Sequence, residues 1–336
     1  MAGRRTNLAL LVLLAAALAT GGLAYGIGTE WSRWAAIAHG VAGLGIVVLT
    51  PWKSVIARRG LRRRRPGSWA SISLAVALGL ALVAGMAHST GLLRSAAGVT
   101  AMQIHVGAAL TSIPFALWHL FARPVRPHRT DFSRRALLRG AALGAASFAA
   151  YGALSGLVWV TRLPGRARRF TGSYETGSFR PDAMPVTQWL NDSVPEVDGA
   201  SWVLSIRQNG REVRRLSLDD LDQQRERVRA TIDCTGGWFA TQVWEGVRLD
   251  ALLGRDLQGR SIEVRSATGY ARRYPARDAS MLWLATRVGD APLSPGHGYP
   301  ARLVAPGRRG FWWVKWVASI EVTDAPWWLQ PPFPLT

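Results

Sequence analysis

The feature that most constrains this chain is the uneven distribution of its apolar residues. Five long apolar runs lie between residues 7 and 160, and none lies between residues 161 and 336. A helix needs about 20 apolar residues to cross the hydrocarbon of a bilayer, so four runs are long enough and the second is marginal. The sequence predicts a membrane-spanning helical half followed by a globular half. The runs are Asn7–Ile27, Trp34–Leu49, Trp69–Leu93, Ala96–Ala122 and Ala136–Val160.

The net charge of +20 would suit a protein that binds nucleic acid, but its distribution argues against that class. The N-terminus, the segment between the second and third runs and the segment before the fifth run together hold 15 basic residues and one acidic residue. By the positive-inside rule these segments are cytoplasmic. Five crossings then place the C-terminal half outside the cytoplasmic membrane. That half carries 24 basic and 19 acidic residues, so we expect no nucleic acid as a partner.

The start of the fifth run, Ser133-Arg-Arg-Ala-Leu-Leu-Arg139, is similar to a twin-arginine export signal placed inside the chain. Such export carries domains that are already folded around a cofactor. The alternative is that Arg134 and Arg135 are simply cytoplasmic flanking residues of a membrane helix.

Histidines inside apolar runs form the second group of candidate residues, because polar side chains in a bilayer are costly and usually functional. His39 and His105 lie in the second and fourth runs, and two facing helices can ligate one heme iron in this way. The 14-residue spacing of His105 and His119 resembles the fourth helix of the di-heme cytochrome b subunits of respiratory formate dehydrogenases. In that family the second helix supplies the partner of the outer heme, as His39 would here.

The resemblance leaves His119 without a partner, because the first run contains no histidine. His88, at the outer end of the third run, is an alternative ligand or a group of a quinone site. The other interpretation of all these histidines is that they form hydrogen bonds between helices or extend to the membrane interface.

Short strands and turns are predicted for the globular half. Strands are expected over Trp202–Arg207, Val213–Leu218, Ile262–Ser266, Ala301–Val304 and Val314–Val322, with a hairpin turn at Gln208–Arg211. Short helices are expected over Leu218–Gln224 and Leu249–Leu253. This pattern predicts an α+β domain.

Cys234 is the only cysteine in the chain, and it follows a strand-like run that breaks at a Gly-Gly turn, in Thr231-Ile-Asp-Cys-Thr-Gly-Gly-Trp-Phe239. One cysteine cannot close an intramolecular disulfide and is too few for a structural zinc or iron–sulfur site. Three roles remain: a buried inert thiol, a nucleophile, or a single thiolate ligand to a metal whose other ligands come from a cofactor.

Six motifs occur in order, at 185–192, 233–247, 269–275, 292–302, 304–307 and 314–317. Together they resemble the molybdopterin-binding domain of the sulfite oxidase family, especially its shorter bacterial members. The resemblance implies that Cys234 is the protein ligand of molybdenum, a metal that favours soft sulfur donors. It also implies cofactor-binding roles for His297, Arg302, Lys315, Arg272, Arg273 and Asn191. The alternatives are a solvated surface for Arg302 and Lys315, and a loop histidine satisfied by the protein for His297.

The expected cofactors are thus molybdenum–molybdopterin and heme b. The aromatic loop after the cysteine, with Trp238, Phe239 and Trp244, favours an organic sulfoxide or amine oxide over a small dianion as substrate, unless these rings are ordinary core. We predict an enzyme, a molybdopterin-dependent oxidoreductase that reduces S-oxides with electrons from quinol via heme b. Its partners would be the quinone pool, a small oxygen-atom donor or acceptor, and the lipid bilayer. A sulfite-type dehydrogenase that passes electrons to quinone and a non-catalytic molybdopterin-fold binding module are the alternatives.

The predicted fold is an all-α membrane bundle of five spans followed by an α+β sulfite-oxidase-like molybdopterin domain. We expect residues 1–130 to form a cytochrome-b-like bundle, 131–160 the fifth transmembrane helix with its twin-arginine-like start, and 161–182 a linker. Residues 183–325 would be the oxidoreductase domain, and 326–336 a tail rich in Pro and Trp.

Overall fold

The computed structural model describes residues 2–61, 68–125, 128, 131, 133–189, 192–254 and 259–334. Within it the chain forms two compact units. The first comprises Met1–Tyr25 and Glu30–Gly172, and the second comprises Gly26–Thr29 and Ser173–Thr336.

Five long helices make up nearly all of the first unit, and each is long and apolar enough to cross a membrane. Helix α3 packs along α4, and α2 packs along α5. A two-stranded hairpin (β1 and β2) precedes α4. The bounds are α1 Ala2–Gly26, α2 Ser32–Leu61, α3 Ser68–Thr90, β1 Ser95–Ala96, β2 Val99–Thr100, α4 Ala101–Ala122 and α5 Arg134–Val160.

Helices α2 and α4 differ from their predicted runs in ways that have a structural reason. Helix α2 has 30 residues and continues through Pro51, so the run that was marginal in length belongs to a helix long enough to span a bilayer. Helix α4 begins at Ala101, five residues after the predicted start. Thr100 and Gln103 form a capping box there: the Thr100 hydroxyl accepts from the Gln103 backbone, and the Gln103 side chain accepts from the Thr100 backbone.

The second unit contains two mixed sheets with short helices at their edges. Its strands are β3 Tyr174–Glu175, β4 Val203–Gln208, β5 Arg211–Ser217, β6 Glu226–Asp233, β7 Trp238–Arg248, β8 Ser261–Ser266, β9 Ala271–Pro275, β10 Trp283–Val288, β11 Ala291–Pro292, β12 Arg302–Val304 and β13 Val317–Thr323. Helix α6 spans Leu218–Asp222 and α7 spans Leu249–Leu253.

One sheet has the order β11-β10-β7-β3, with β12 paired to β10 and β6 paired to β7. The other has the order β5-β4-β13-β8-β9. Neighbours are antiparallel except for two parallel pairs, β4 with β13 and β3 with β7. The buried side chains of both sheets form one hydrophobic core that includes Leu204, Trp244, Val264 and Leu303. The predicted fold class is thereby confirmed: a helical half with five apolar spans precedes an α/β domain.

Most of the predicted strands are present within a residue or two. The hairpin between β4 and β5 has Asn209 at φ +44° and Gly210 at φ +84°, as an Asn-Gly turn of the primed type requires. Helix α7 has the predicted bounds. Strand β13 begins at Val317 instead of Val314, because Trp316 adopts a left-handed backbone, with φ +51°, that interrupts the extended chain. Strand β10, which lies between β7 and β11, was not predicted.

Candidate functional site

Cys234 lies in the turn that joins β6 to β7, as the Gly-Gly sequence predicted. The turn is closed by the Cys234 amide, which donates to the Trp238 carbonyl at 2.8 Å, and by the Gly237 amide, which donates to the Cys234 carbonyl at 3.2 Å. Gly237 has φ +90°, a conformation that side-chain-bearing residues rarely adopt. The half-buried thiol is contacted by the Gly236 amide at 3.4 Å and the Thr187 hydroxyl at 3.6 Å.

The backbone of this turn is held by a buried ion pair that the sequence analysis did not identify. Arg309 is 1% exposed and donates to the Asp233 carboxylate and, at 3.2 Å, to the Cys234 carbonyl. Ser173 donates to the same carboxylate at 2.6 Å. The pair fixes the thiol because Asp233 is the residue immediately before it. The position of Arg309 in the basic and aromatic run 308–316 is the signal that could have indicated its role.

Arg302, predicted to bind the cofactor, lies inside the domain on β12. It is 1% exposed, it donates to the His297 carbonyl at 2.9 Å, and its guanidinium lies 5.2 Å and 5.8 Å from the ring centroids of Trp244 and Trp313. Burial lowers the pKa of Arg302 to about 10, and the negative charge of Cys234 opposes this lowering. The buried position rules out the alternative of a solvated surface for this residue.

Lys315, the second predicted cation, reaches from the segment before β13 toward the thiol. Its ammonium donates to the Thr187 carbonyl at 2.7 Å and to the Gly296 carbonyl at 2.6 Å. Burial lowers the pKa of Lys315 to about 7, and repulsion from Arg302 adds to the effect, whereas the charges of Cys234 and Asp192 oppose it. Lys315, Arg302 and Cys234 are therefore close enough to act on each other electrostatically.

The next residue, Trp316, is 1% exposed and is one of the few non-glycine residues with a left-handed backbone. A conformation of this kind costs roughly 1–3 kcal/mol and persists only where the surroundings impose it. Here the indole donates to the Pro295 carbonyl at 2.7 Å, and the Trp316 carbonyl accepts from the Ala267 amide at 2.8 Å. These contacts fix the turn that directs Lys315 toward the 294–298 loop.

His297 uses both of its ring nitrogens within the protein. Nε2 donates to the Met184 carbonyl at 3.0 Å, and Nδ1 therefore accepts from the Ser294 hydroxyl at 2.8 Å. Burial and repulsion from Arg302 lower the pKa of His297, which keeps the ring neutral. In this structure His297 supports the loop whose carbonyl holds Arg302, and direct contact with a cofactor stays a prediction.

The two arginines of β9 point in different directions. Arg272 is buried, its guanidinium lies 4.0 Å from the Trp312 ring centroid, and it donates to the Pro331 carbonyl at 3.0 Å. Arg273 is engaged elsewhere: it donates to Glu263 at 2.7 Å and to carbonyls of the C-terminal tail. In this structure Arg273 therefore anchors the C-terminal tail to β9. Asn191, also predicted to bind the cofactor, lies outside the described residues.

The aromatic residues after Cys234 do not all line an open mouth. Trp244 is 0% exposed, donates to the Ala230 carbonyl at 3.2 Å and packs on Trp313 beneath Arg302. It belongs to the core because the inward face of β7 is buried along most of its length. Trp238 is also buried, and its indole lies near the thiol, across Gly236. The prediction that Trp244 lines an aromatic substrate mouth is thus wrong. The alternative, that its ring is ordinary core, is correct.

The donors around Cys234 fit an anionic cofactor. Among the residues that the structure describes, neither Arg302 nor Lys315 forms an ion pair with a carboxylate. Arg302 Nε is also enclosed without a hydrogen-bond partner in the described part of the chain. Buried cations without counter-charge are costly, and an anion bound beside them recovers that cost. A pterin phosphate meets this requirement, and the Cys234 thiolate provides the soft donor for molybdenum.

In the first unit, His39 of α2 and His105 of α4 meet with ring centroids 5.6 Å apart. His39 Nδ1 donates to the Ala17 carbonyl at 2.9 Å, and His105 Nδ1 donates to the Ala81 carbonyl at 2.7 Å. A carbonyl only accepts, so both rings carry their proton on Nδ1 and present the lone pair of Nε2. Metal-ligating histidines are typically held in this way, and the pair fits the two axial ligands of a heme.

The other membrane histidines have different contacts. His119 Nδ1 bonds the Ser71 hydroxyl at 3.0 Å, which joins α4 to α3 as the alternative interpretation proposed. His88 is buried at the end of α3, and its Nε2 donates to the Gly172 carbonyl at 2.8 Å. This contact occupies the nitrogen that His39 and His105 leave available. A ligand or quinone-site role for His88 stays a prediction.

Comparison with known proteins identifies the second unit. Residues 191–328 match the family described as the oxidoreductase molybdopterin binding domain. The chain therefore contains a molybdopterin-binding oxidoreductase domain, and the predictions of an enzyme of this type and of a molybdenum cofactor are confirmed at the level of the domain. The five apolar helices precede that match in the sequence.

The similar proteins include the nitrate reductase [NADH] of Hordeum vulgare, 28% identical over 172 residues, with 40% of this chain and 19% of that protein covered. The nitrate reductase [NADH] 1 of Oryza sativa subsp. japonica is 27% identical with the same coverage. Among solved structures, the sulfane dehydrogenase SoxCD from Paracoccus pantotrophus aligns with a TM-score of 0.36 and 25% identity, over 39% of this chain and 40% of that chain. The chain thus spans about a fifth of the length of these nitrate reductases.

The lowered pKa of Lys315 predicts how the stability of the cofactor-free protein depends on pH. The unfolded chain holds this proton up to about pH 10.4, whereas the folded chain releases it near pH 7. Between these values the unfolded state binds more protons, so stability rises with pH, and below about pH 7 the cost is fully present. Lys315→Met should remove part of this rise in thermal unfolding measured at pH 6 and pH 9.

Arg211→Met is the matched control, because Arg211 is exposed on β5. It should leave the pH dependence as in the wild type. An unchanged pH dependence in Lys315→Met would show that Lys315 keeps an ordinary pKa.

Proposed function

We propose that this protein is a membrane-anchored molybdenum enzyme that reduces S-oxides outside the cytoplasmic membrane, with electrons from quinol passed through heme b. The observation that carries the proposal is the convergence of one soft thiolate, Cys234, with two cations, the buried Arg302 and the half-buried Lys315, in a matched oxidoreductase domain. Among the described residues, neither cation forms an ion pair with a carboxylate. A thiolate next to an anion-binding pocket is what a pterin-held molybdenum requires of a protein.

The protein residues have separable tasks in this proposal. Cys234 anchors the metal, and Arg302 and Lys315 neutralise the pterin phosphate. When bound, the molybdenum cofactor supplies oxygen-atom transfer coupled to two electrons. Arg309 and Thr187 hold this cysteine through two different atoms, its carbonyl oxygen and its sulfur. This arrangement keeps the ligand atom in one position during turnover.

The reaction balances as an S-oxide reduction. The S–O bond breaks, the sulfide leaves, and the oxygen ends as water with two protons and the two electrons that quinol supplies. The aromatic ring of Trp238 supports an organic substrate. Trp244 does not, because it belongs to the core. The second candidate runs electrons in the opposite direction: it is a sulfite-type dehydrogenase that passes electrons to quinone. It would use the same residues.

A non-catalytic binding module is the third candidate, and the buried charges disfavour it. Such a module has no use for a thiolate beside uncompensated cations, whose burial is costly. It would also purify without molybdenum from a host that makes the cofactor.

The electron route of the proposal rests on the His39–His105 pair. Four helices contribute to its geometry: α2 and α4 carry the rings, and α1 and α3 supply the carbonyls that orient them. Gly21 and Gly85 leave the space for the rings, since a Cβ atom on either would come within 2.9 Å or 2.8 Å of the facing imidazole. The two glycines thus allow two imidazoles, which are energetically costly in an apolar bundle, to lie next to each other, as a heme site requires.

Membrane attachment and orientation are further parts of the proposal. Large apolar side chains on the helices are exposed, among them Phe121, Leu110 and Val160, and lipid would cover such surfaces. The arginine pair at the start of α5 is exposed, as an export signal must be. Other arginines of the predicted cytoplasmic segments lie outside the described residues, namely Arg62 to Arg65, Arg126 and Arg129.

Removal of the thiolate is the direct test of the enzyme. Cys234→Ala should abolish the reduction of methionine sulfoxide by dye-reduced protein and lower the molybdenum content, because the metal loses its soft protein ligand. The fold and the heme spectrum should persist. Ser205→Ala, on β4, is a control that should keep full activity. Retained turnover in Cys234→Ala would remove the thiolate from the mechanism, and sulfite oxidation without S-oxide reduction would establish the dehydrogenase.

Removal of one membrane histidine tests the heme. His105→Ala should erase the b-type visible spectrum of the detergent-purified protein, because one axial ligand is lost. His119→Ala is the matched control on the same helix, and it should keep the spectrum since His119 contacts Ser71. A surviving spectrum in His105→Ala would show that the ligand assignment is wrong.

Replacement of Arg134 and Arg135 by lysine tests export, since it keeps the charge and changes only the side-chain geometry. Accessibility of the C-terminal domain to protease added outside the membrane should fall strongly. Arg58 and Arg59 replaced by lysine provide the control at another cytoplasmic segment. Unimpaired export would leave the pair with a purely topological role.

A further inference from the structure

One buried hydrogen-bond donor beside Cys234 has no acceptor within the described part of the chain. Trp238 is 8% exposed, and its indole Nε1 is enclosed without a partner there. A buried N–H that makes no hydrogen bond costs about 1–3 kcal/mol, so each such group calls for an explanation.

The other buried tryptophans of the domain show that this arrangement is unusual for it. Each of the four donates its indole N–H to a backbone carbonyl at 2.7–3.2 Å. The pairs are Trp202 with Val317, Trp244 with Ala230, Trp313 with Arg308, and Trp316 with Pro295. The domain therefore satisfies its buried indoles, and the exception lies at the cysteine loop.

The free N–H and the sulfur border the same small space. A Cβ atom built on Gly236 would lie 3.6 Å from Cys234 Sγ and 3.7 Å from both Cδ1 and Nε1 of Trp238. The edge of the indole that carries the proton therefore faces the volume above Gly236 that the thiol also faces. Whatever binds to the sulfur from that side comes within reach of the donor.

The indole is held in this position by the backbone. Trp238 is the first residue of β7, its carbonyl accepts from the Cys234 amide at 2.8 Å, and it is paired with Tyr174 of β3. Movement of the ring away from the thiol would require the turn itself to open. The donor is thus preorganised toward the site, which is the arrangement expected of a group that binds a ligand.

We propose that Trp238 Nε1 donates a hydrogen bond to an acceptor atom of the molybdenum cofactor, a sulfur or oxygen next to Cys234, and so is a cofactor-binding residue. The inference rests on the proposed function. It explains why an N–H that is costly in the cofactor-free protein is retained, since the cofactor supplies the missing acceptor. A hydrogen bond to an anionic atom is stronger than one between neutral groups.

The test separates the cofactor-free protein from the loaded protein. Trp238→Phe keeps an aromatic ring and removes only the donor and one ring of the indole. In the cofactor-free chain this change removes no hydrogen bond, so the thermal midpoint should fall no further than in Trp202→Phe. In the loaded chain it removes a bond to the cofactor. We expect pterin release, measured by the fluorescence of the freed pterin, to be about tenfold faster or more.

Trp202→Phe is the matched control, because Trp202 is 8% exposed, as Trp238 is, and donates to the Val317 carbonyl within the protein. It should lower the midpoints of the cofactor-free and loaded chains equally and leave the difference between them as in the wild type. Trp238→Phe should reduce that difference. An unreduced difference together with an unchanged rate of pterin release would overturn the inference.

Gly236→Ala is a second variant that does not alter the tryptophan. Its methyl group would make ordinary van der Waals contacts of 3.6–3.7 Å, so the cofactor-free chain should fold, but it fills part of the space between sulfur and indole. Pterin release should again be faster. An unchanged rate would show that the ligand does not use this space.

The failure of the proposed function and the failure of this inference are distinguishable. If the wild type itself binds no molybdenum, the proposed function fails. If the wild type binds molybdenum and Trp238→Phe changes neither the rate of pterin release nor the difference in midpoints, only the inference is refuted.

Discussion

The guanidinium of Arg302 lies inside the second unit on two indole faces, and the ammonium of Lys315 is held by the Thr187 and Gly296 carbonyls. Neither cation forms an ion pair with a carboxylate among the residues that the structure describes. Burial and the charge of Arg302 lower the pKa of Lys315, and burial lowers the pKa of Arg302. The protein tolerates these two charges because the surrounding sheets are well packed, and an anion at the same place would convert their cost into binding energy. The Cys234 thiol, the loop at 294–298 and two of the buried tryptophans, Trp244 and Trp313, lie close to these charges.

Rigid support of one sulfur atom is the second consequence of the fold. Three features hold the cysteine: the Asp233–Arg309 pair binds its backbone, the glycine turn shapes the loop, and the Thr187 hydroxyl contacts the sulfur. Unlike Arg302, Arg309 has a carboxylate partner, and this difference separates a positioning arginine from one available to a ligand. The strained backbone of Trp316 serves the same end, because it directs Lys315 toward the thiol instead of along β13.

The first unit meets a related problem in an apolar setting. Two imidazoles that would be costly in hydrocarbon are placed ring to ring, and each is oriented by a carbonyl from a neighbouring helix. His119 shows what a histidine does in the same bundle when it has a simple structural role, since its ring bonds a serine hydroxyl. The contrast supports a ligand role for the first pair.

Local composition and the backbone preferences of neighbouring residues were sufficient to predict the two-part organisation, the hairpin at Asn209-Gly210 and the glycine turn that presents Cys234. Motif order also indicated Arg302 and Lys315. Other roles became visible only in the folded domain: Trp244 belongs to the core, Arg273 binds the C-terminal tail, and Arg309 positions the cysteine. The same holds for the Trp238 N–H, which has no acceptor in the described part of the chain. These roles depend on which distant side chains or carbonyls lie within hydrogen-bond reach, and long-range packing sets those distances.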